Sequence, residues 1–539
     1  MRCDYLIIGG GHNGLVAACY LAKAGNSVCL LERSDKVGGC AITEEICPGF
    51  KISSVAYAYS LFHPSIISDL HLEHAIKVLK RPIYSYTPDL EGYGLAMGDE
   101  TLTKREIERY SKHDVQGYQE YNEFLENILS NVDEFIDEIP PVLTTNGRRL
   151  NIKNKLSNLF KLYRMRKGFK RADKLMNVAD TVNILTGSAT SVLDRFIEKD
   201  PLKVTLATDG IIGSMVSPSQ MGSAYILLHH VMGESGGSRG VWGYVEGGMG
   251  HLSETLADCA RSFGAKILTE HEVTEITVLD GKARGVVVND KWFLATKGVL
   301  SGTTMDITFN RLLNDSIKHN LPLGFKQDVG NMDYEAACMK VNFALDRLPT
   351  FKNGKDCQRD QMAGLTGTVH IPSTCKAVEL AFDDAKYGVP SQSPILEMTF
   401  PSTLDKTLAP EGKHVMSVLV QYTPYKLTNG LTWDQYGDNY ADLCMENIER
   451  HAPGFKNLVI ARQVITPLDL ARKYGLNKGD IFHGSMKPSQ MFSFRPVAGW
   501  SDHKTPIKNL YMCGSACHPG GGVTGIPGRN AAKVVLKDS

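Results

Sequence analysis

Near the N-terminus, Gly9-Gly10-Gly11-His12-Asn13-Gly14 is followed by an acid, Glu32, at an offset close to twenty residues. In such a GxGxxG turn the first glycine permits a tight bend and the second lets the main chain approach a pyrophosphate. The third lets the following helix pack closely on the preceding strand. Free N–H groups and the positive dipole end of that helix then face two phosphate charges. Each dipole contribution is worth only about 0.3–1 kcal/mol, so several donors must act together. Glu32 has the chemistry to accept hydrogen bonds from ribose hydroxyls and would repel a 2′-phosphate, which argues against NADP. Arg33 follows it and joins the cofactor-binding candidates. The pattern predicts a dinucleotide and does not separate FAD from NAD.

Two further glycine groups favour FAD. Gly38-Gly39 follows Glu32 closely and lets the chain fold back beside the pyrophosphate. The C-terminus then reads Leu510-Tyr-Met-Cys-Gly514-Ser-Ala-Cys-His518-Pro-Gly-Gly-Gly522-Val523-Thr-Gly525. Strand, glycine turn and helix recur there, offering backbone N–H groups to a second stretch of a long cofactor. Gly520 to Gly525 also matches GxGxxG, but it lacks a strand directly before it and has too little chain after it for a second nucleotide unit. Its expected use is closure over the flavin end, with Val523 onward helical.

Catalytic residues are harder to read. His518 has the chemistry to move a proton after hydride transfer; its alternative is a histidine fixed by backbone hydrogen bonds that shapes the loop. Arg495 has the charge to steady an anionic reduced flavin; its alternative is an ion pair at a domain seam. His229 and His230 are chain neighbours on a predicted helix, so they cannot share one face as metal ligands, and His483 stands equally unassigned. No metal is expected and no residue is given a catalytic role.

The elements that must position these groups follow from periodicity. Residues 4–8, 14–24 and 27–32 read as strand, helix and strand, one right-handed βαβ unit. Apolar positions from Ile107 to Phe135 recur at helical spacing over 102–138, and Pro140-Pro141 ends that helix. Residues 148–174 carry eleven Lys/Arg against one acid, interleaved with Leu156, Leu159, Phe160, Leu162, Tyr163 and Met165. This is a basic amphipathic helix, either a solvated face or a contact with an anionic membrane surface or a protein partner. Eight glycines in 233–250 read as an interdomain loop, followed by a helix over 252–263. Val273–Val278, Asp280-Gly281 and the run to Val288 read as a hairpin with a tight primed turn. Lys340–Leu345, Ile395–Phe400 and His414–Gln421 suggest an antiparallel sheet.

Composition bounds the classes. The 539 residues include 59 basic and 59 acidic side chains, so no global field recruits nucleic acid. The twelve cysteines form no CxxC pair, which suits a reducing compartment and argues against dithiol–disulfide chemistry. No apolar run is long enough to span a bilayer, and the glycines in the apolar start speak against a signal peptide. The expected location is the cytoplasm, or the mitochondrial matrix for a eukaryotic source.

These residues resemble the phytoene desaturase-like FAD-dependent oxidoreductases along nearly the whole chain. The likeness includes Thr43-Glu-Glu-Ile46, Leu206-Ala-Thr-Asp-Gly-Ile-Ile-Gly213, Leu228-His-His-Val-Met-Gly233, Asp480-Ile-Phe-His-Gly484 and His518-Pro-Gly-Gly-Gly522. The resemblance implies an α/β fold: a Rossmann-like FAD-binding domain of the glutathione-reductase type plus an α+β substrate domain with an antiparallel sheet and a helical insert. It implies an FAD domain assembled from 1–75, 240–305 and 480–539. The substrate domain would come from 76–239 and 306–479 and include the helical, basic segment 102–200. It places Val273 against the adenine, and Gly514, Gly522 and Val523 beside the ribityl chain and isoalloxazine. It also implies hydride transfer to flavin from a C–H bond of an apolar, isoprenoid or lipid-like small molecule. Two positions depart from the pattern: Cys40 stands where many relatives carry Arg, and Arg495-Pro-Val-Ala498 replaces Arg-Pro-x-Pro. The alternatives are a binding or regulatory protein with a structural flavin, and an amine oxidase. The latter would want an aromatic pair facing the flavin, whereas the C-terminal motif offers only Tyr511, Cys517 and His518.

Overall fold

The computed structural model describes residues 1–539 apart from 144–147, 149, 151, 172–177, 236–237, 336–337, 356–361, 429 and 539. Its N-terminal strand β1 (Arg2–Ile8) alternates between two cores: Tyr5 and Ile7 face one, Cys3, Leu6 and Ile8 the other. A strand buried on both faces needs helices on both sides, which is why it reads as an unbroken apolar run. Helix α1 (His12–Lys23) starts directly after the glycine turn. A Cβ on Gly14 would lie 2.2 Å from Gly9 O, so only glycine lets α1 press against the end of β1. Strand β2 (Val28–Leu31) then pairs with β1 in parallel.

The remaining strands of this sheet come from far along the chain. They are β3 (Lys266–Leu268), β4 (Val273–Leu279), β5 (Lys282–Val288), β6 (Lys291–Ser301) and β7 (Leu510–Met512). The parallel order is β3-β2-β1-β6-β7, and the first half of β6 instead carries the antiparallel meander β5-β4 on that edge. Asp280 (φ 50°) and Gly281 (φ 69°) close the β4–β5 hairpin with two positive φ values, as the Asp-Gly signal predicts. Two further helices, α2 (Met249–Ser262) and α3 (Ile526–Asp538), cover the face that α1 covers. Stretches 1–75, 240–305 and 480–539 thus supply every strand of this sheet.

A second seven-stranded sheet runs in the order Val459–Ile465, Cys338–Leu345, His414–Gln421, Ile395–Thr399, Thr368–Ile371, Ser85–Thr87, Leu95–Met97. It is antiparallel except where Thr368–Ile371 meets Ser85–Thr87 in parallel. Its outer face, with Met339, Val341, Phe343, Val418 and Met398, packs on the helix Trp433–His451. The opposite face presents Lys340, Asn342, Ser417, Glu397 and Gln421, all buried.

Three sequence expectations need correction. The helix over 102–138 is two helices, Glu100–Glu108 and Lys112–Asp137, because Ser111 turns extended and caps the second by accepting the Asp114 N–H. The glycine-rich 233–250 is not all loop: Gly243–Val245 pairs with Val78–Lys80, and α2 begins at Met249. The last helix begins at Ile526, not Val523, because Gly522 and Gly525 hold positive φ (89° and 73°), which a helix cannot contain. The basic helix spans Ile152–Arg171; residues 149, 151 and 172–174 of that expectation lie outside the described residues.

Candidate functional site

A cavity of about 680 Å³ opens at the carboxyl ends of β1 and β2 and continues toward the polar face of the second sheet. Gly9, Gly11, Gly14, Glu32, Arg33, Gly38, Gly39, Val273, Gly514, Gly522 and Val523 all line it. The turn is built from the main chain outward. Gly9 (φ 93°) donates to Leu31 O, and the Gly10 N–H donates to Glu32 Oε2 at 2.6 Å. Gly10 itself does not line the cavity; it stands behind Glu32. The Ser34 N–H holds Glu32 Oε1 at 2.9 Å, so the carboxylate is fixed in place with lone pairs to spare. A Cβ on Gly11 would meet nothing within 4 Å, so the main chain there borders open space. Gly39 lies against it, its notional Cβ 3.3 Å from Gly11 Cα.

The C-terminal glycines reach the same cavity. A Cβ on Gly514 would sit 2.3 Å from Gly302 O, where two strand ends converge. Asn13 Nδ2 on α1 donates to Ser515 Oγ at 3.1 Å, across 502 chain positions. A Cβ on Gly528 would meet Asn13 O at 2.1 Å, which pins α3 to the start of α1. The two glycine clusters, distant in sequence, form one crevice.

The two catalytic candidates sit elsewhere. Neither Arg495 nor His518 lines the cavity. Arg495 is fully buried and donates to the carbonyls of Phe482, Gly484, Ser485, Gln490 and Ser515. It rivets the loop before it to the C-terminal motif, through hydrogen bonds to carbonyls rather than an ion pair among the described residues. His518 is fully buried, its ring 5.6 Å from that of Phe492. Other histidines do reach the wall. His12 Nε2 and His483 Nδ1 line the cavity and find no hydrogen-bond partner among the described residues. Burial pushes them down to about 4 and about 3, so both are neutral. Orphaned polar atoms beside an open glycine main chain are what a polar nucleotide would complete.

Toward the second sheet the wall becomes apolar and aromatic, with Ile212, Trp242, Leu419, Leu476, Ile481 and Phe482. A buried cation, Lys340, stands among them. Lys340 is 1% exposed, donates to Ser417 Oγ at 2.5 Å and lies 4.1 Å from the Tyr57 ring centre. Burial lowers its pKa to about 7. Tyr57 OH donates to Glu397 Oε2 at 3.3 Å, and burial raises that carboxyl to about 8. Tyr57 also meets Trp242 edge-on, ring centres 6.4 Å apart. Sequence reasoning missed Lys340, Glu397 and Tyr57. The available signal was the alternation in Cys338-Met-Lys-Val-Asn-Phe-Ala-Leu345, which puts Lys340 and Asn342 opposite the apolar side.

The fold around this crevice is shared with known proteins. The model of the flavin containing amine oxidoreductase family matches residues 14–536. The chain belongs to that family. As a flavin containing amine oxidoreductase it is an FAD-dependent oxidoreductase, and FAD is its cofactor. It is 42% identical to mouse pyridine nucleotide-disulfide oxidoreductase domain-containing protein 2 over 552 residues, covering 99% of this chain and 93% of that one. It is 24% identical to the lycopene-forming phytoene desaturase of Pantoea ananas over 542 residues, 99% of each. The fold matches cyclohexylamine oxidase from Brevibacterium oxydans with a TM-score of 0.56, 14% identity and 99% coverage of both chains. Among the described residues, no helix is long and apolar enough to cross a membrane.

Proposed function

We propose that this protein dehydrogenates an apolar, isoprenoid or lipid-like small molecule bound between the nucleotide crevice and the second sheet. In this reading Glu32 accepts the adenosine ribose hydroxyls and Val273 lies against the adenine. Gly9, Gly11, Gly38 and Gly39 border the pyrophosphate, and Gly514, Gly522 and Val523 border the isoalloxazine end. Bound FAD supplies the two-electron acceptor for a substrate C–H bond. The chain then orients the substrate, excludes water and receives the proton that leaves the neighbouring carbon. Lys340 Nζ suits that last task, because a lysine held at about 7 is partly neutral in working conditions. Cys40, on the cavity wall, brings no charge to the pyrophosphate, which is left to the backbone donors.

The observation that carries this reading is the wall beside the second sheet, where Ile212, Trp242, Leu419, Leu476, Ile481 and Phe482 stand around a buried lysine lowered to about 7. A second reading, oxidation of an amine in its neutral form, is favoured by the Tyr57–Trp242 pair on the same wall. Anaerobic mixing of the FAD-loaded protein with isoprenoid hydrocarbons and with primary and secondary amines separates the two. Flavin bleaching by a hydrocarbon supports the first reading. Bleaching by amines alone replaces it with the second, and chemically reduced flavin that no acceptor reoxidises would favour a structural flavin.

A further inference from the structure

The helix Ile152–Arg171 turns its apolar side outward. Ile152, Leu156, Leu159, Phe160 and Tyr163 are 77%, 61%, 62%, 62% and 62% exposed. Their spacing (i, i+4, i+7, i+8, i+11) puts them on one stripe. Asn158 and Lys161 face the body of the protein instead. Asn158 exchanges hydrogen bonds with the main chain of Val142 (3.2 and 3.0 Å), and Lys161 Nζ donates to Pro140 O at 3.2 Å. Just before the helix, Arg148 grips Asp502 with two bonds of 2.7 and 2.8 Å. The helix is therefore fixed to the molecule through its polar side. A large apolar side chain left in water forgoes the gain of burial, and here five are left together.

Charge selects what covers the stripe. Residues 148–174 hold eleven Lys/Arg and one acid, within a chain whose basic and acidic side chains number 59 each. A second copy that met this stripe with its own would set one cationic patch against another, which is repulsive. A lipid surface with anionic headgroups answers both properties: apolar side chains enter the acyl boundary while basic ones meet phosphate. We propose that the helix Ile152–Arg171 seats this protein on the surface of an anionic bilayer, independently of which substrate the chamber takes.

Flotation of the FAD-loaded full chain with vesicles tests this. One set is phosphatidylcholine alone; in the other, phosphatidylglycerol replaces part of it. The expected result is binding at least about tenfold tighter to the anionic vesicles, weakened by added salt. The combined substitution Leu156→Ser, Leu159→Ser and Phe160→Ser should lower that binding at least about tenfold. Its melting temperature and flavin spectrum should stay unchanged, because all three side chains are exposed. Lys155→Glu, also exposed, should lower binding several-fold on its own. Equal binding to neutral and anionic vesicles, or undiminished binding by the triple variant, would overturn the proposal. So would failure to bind any vesicle, or a dimer that the triple variant separates.

Discussion

Lys340 is the residue on which the chemistry is most exposed to test. Its pKa falls from 10.5 to about 7 through burial, so the neutral amine gains as pH rises through 7. Flavin reduction by substrate should therefore climb through about pH 7 and level off above it, as measured by stopped-flow bleaching across a pH series. Lys340→Met should slow reduction by about a hundredfold, a typical worth of a positioned proton acceptor, and should flatten that rise while FAD content stays the same. An unaltered pH profile in Lys340→Met would remove Lys340 from the chemistry. Stability carries a second, independent signature. Between about 7 and 10.5 the unfolded chain binds more protons at this lysine than the folded one, so its contribution makes stability rise with pH in that window. Glu397 acts oppositely: raised from 4.5 to about 8, it makes the folded chain the better proton binder, and its contribution falls as pH rises between those values. Lys340→Met should remove the rise and leave the fall, read by urea unfolding at successive pH values.

At the scale of elements, the β1 turn and the C-terminal loop separate two roles that glycine and arginine play. Gly11 keeps an ordinary φ of −66° and its Cβ would enter open space, whereas the Cβ of Gly14 would strike Gly9 O. Gly11→Ala should consequently fold with its apoprotein melting temperature intact and lose FAD affinity. Gly14→Ala should lose stability by about 1–3 kcal/mol, the usual cost of overpacking, whether or not FAD is present. Equal behaviour of the two variants in thermal melts and flavin titration would contradict the crevice. Arg495 calls for a different readout, since its guanidinium meets only carbonyls. Arg495→Lys cannot reproduce that fork. It should lower the melting temperature and FAD retention but leave the reduction rate of the loaded fraction unchanged. These contrasts also show what the sequence makes legible. The βαβ unit, the Asp280-Gly281 hairpin and both glycine clusters are local signals, each written in adjacent residues. Lys340, Asn342, Ser417 and Gln421 are not, because an antiparallel strand with one polar side reads as half-solvated. Only packing shows that this polar side faces a buried chamber. Arg495 was visible as a charge in a glycine-rich C-terminal region, but nothing local says that backbone carbonyls surround it.

The whole molecule makes one crevice out of three remote stretches, and FAD bound there as proposed would have a thermodynamic consequence. Residues 9–14, 271–274 and 514–523 border the same cavity yet are joined otherwise by few direct bonds, such as Asn13 to Ser515. A ligand that touches all three stabilises the folded chain by RT ln(1 + [L]/Kd), about 2.7 kcal/mol at a hundredfold excess over Kd. Its contacts would bridge all three, so their local opening should be suppressed together. Hydrogen exchange followed by mass spectrometry, with and without FAD, reads this directly. Protection should rise in all three stretches on adding FAD and remain level in Val459–Ile465, the edge strand of the second sheet. Protection confined to residues 9–14 would mean that the C-terminal glycines do not close on the cofactor. In that case the convergence of the two clusters would serve packing alone, and the chamber beside Lys340 would lose its place next to the flavin.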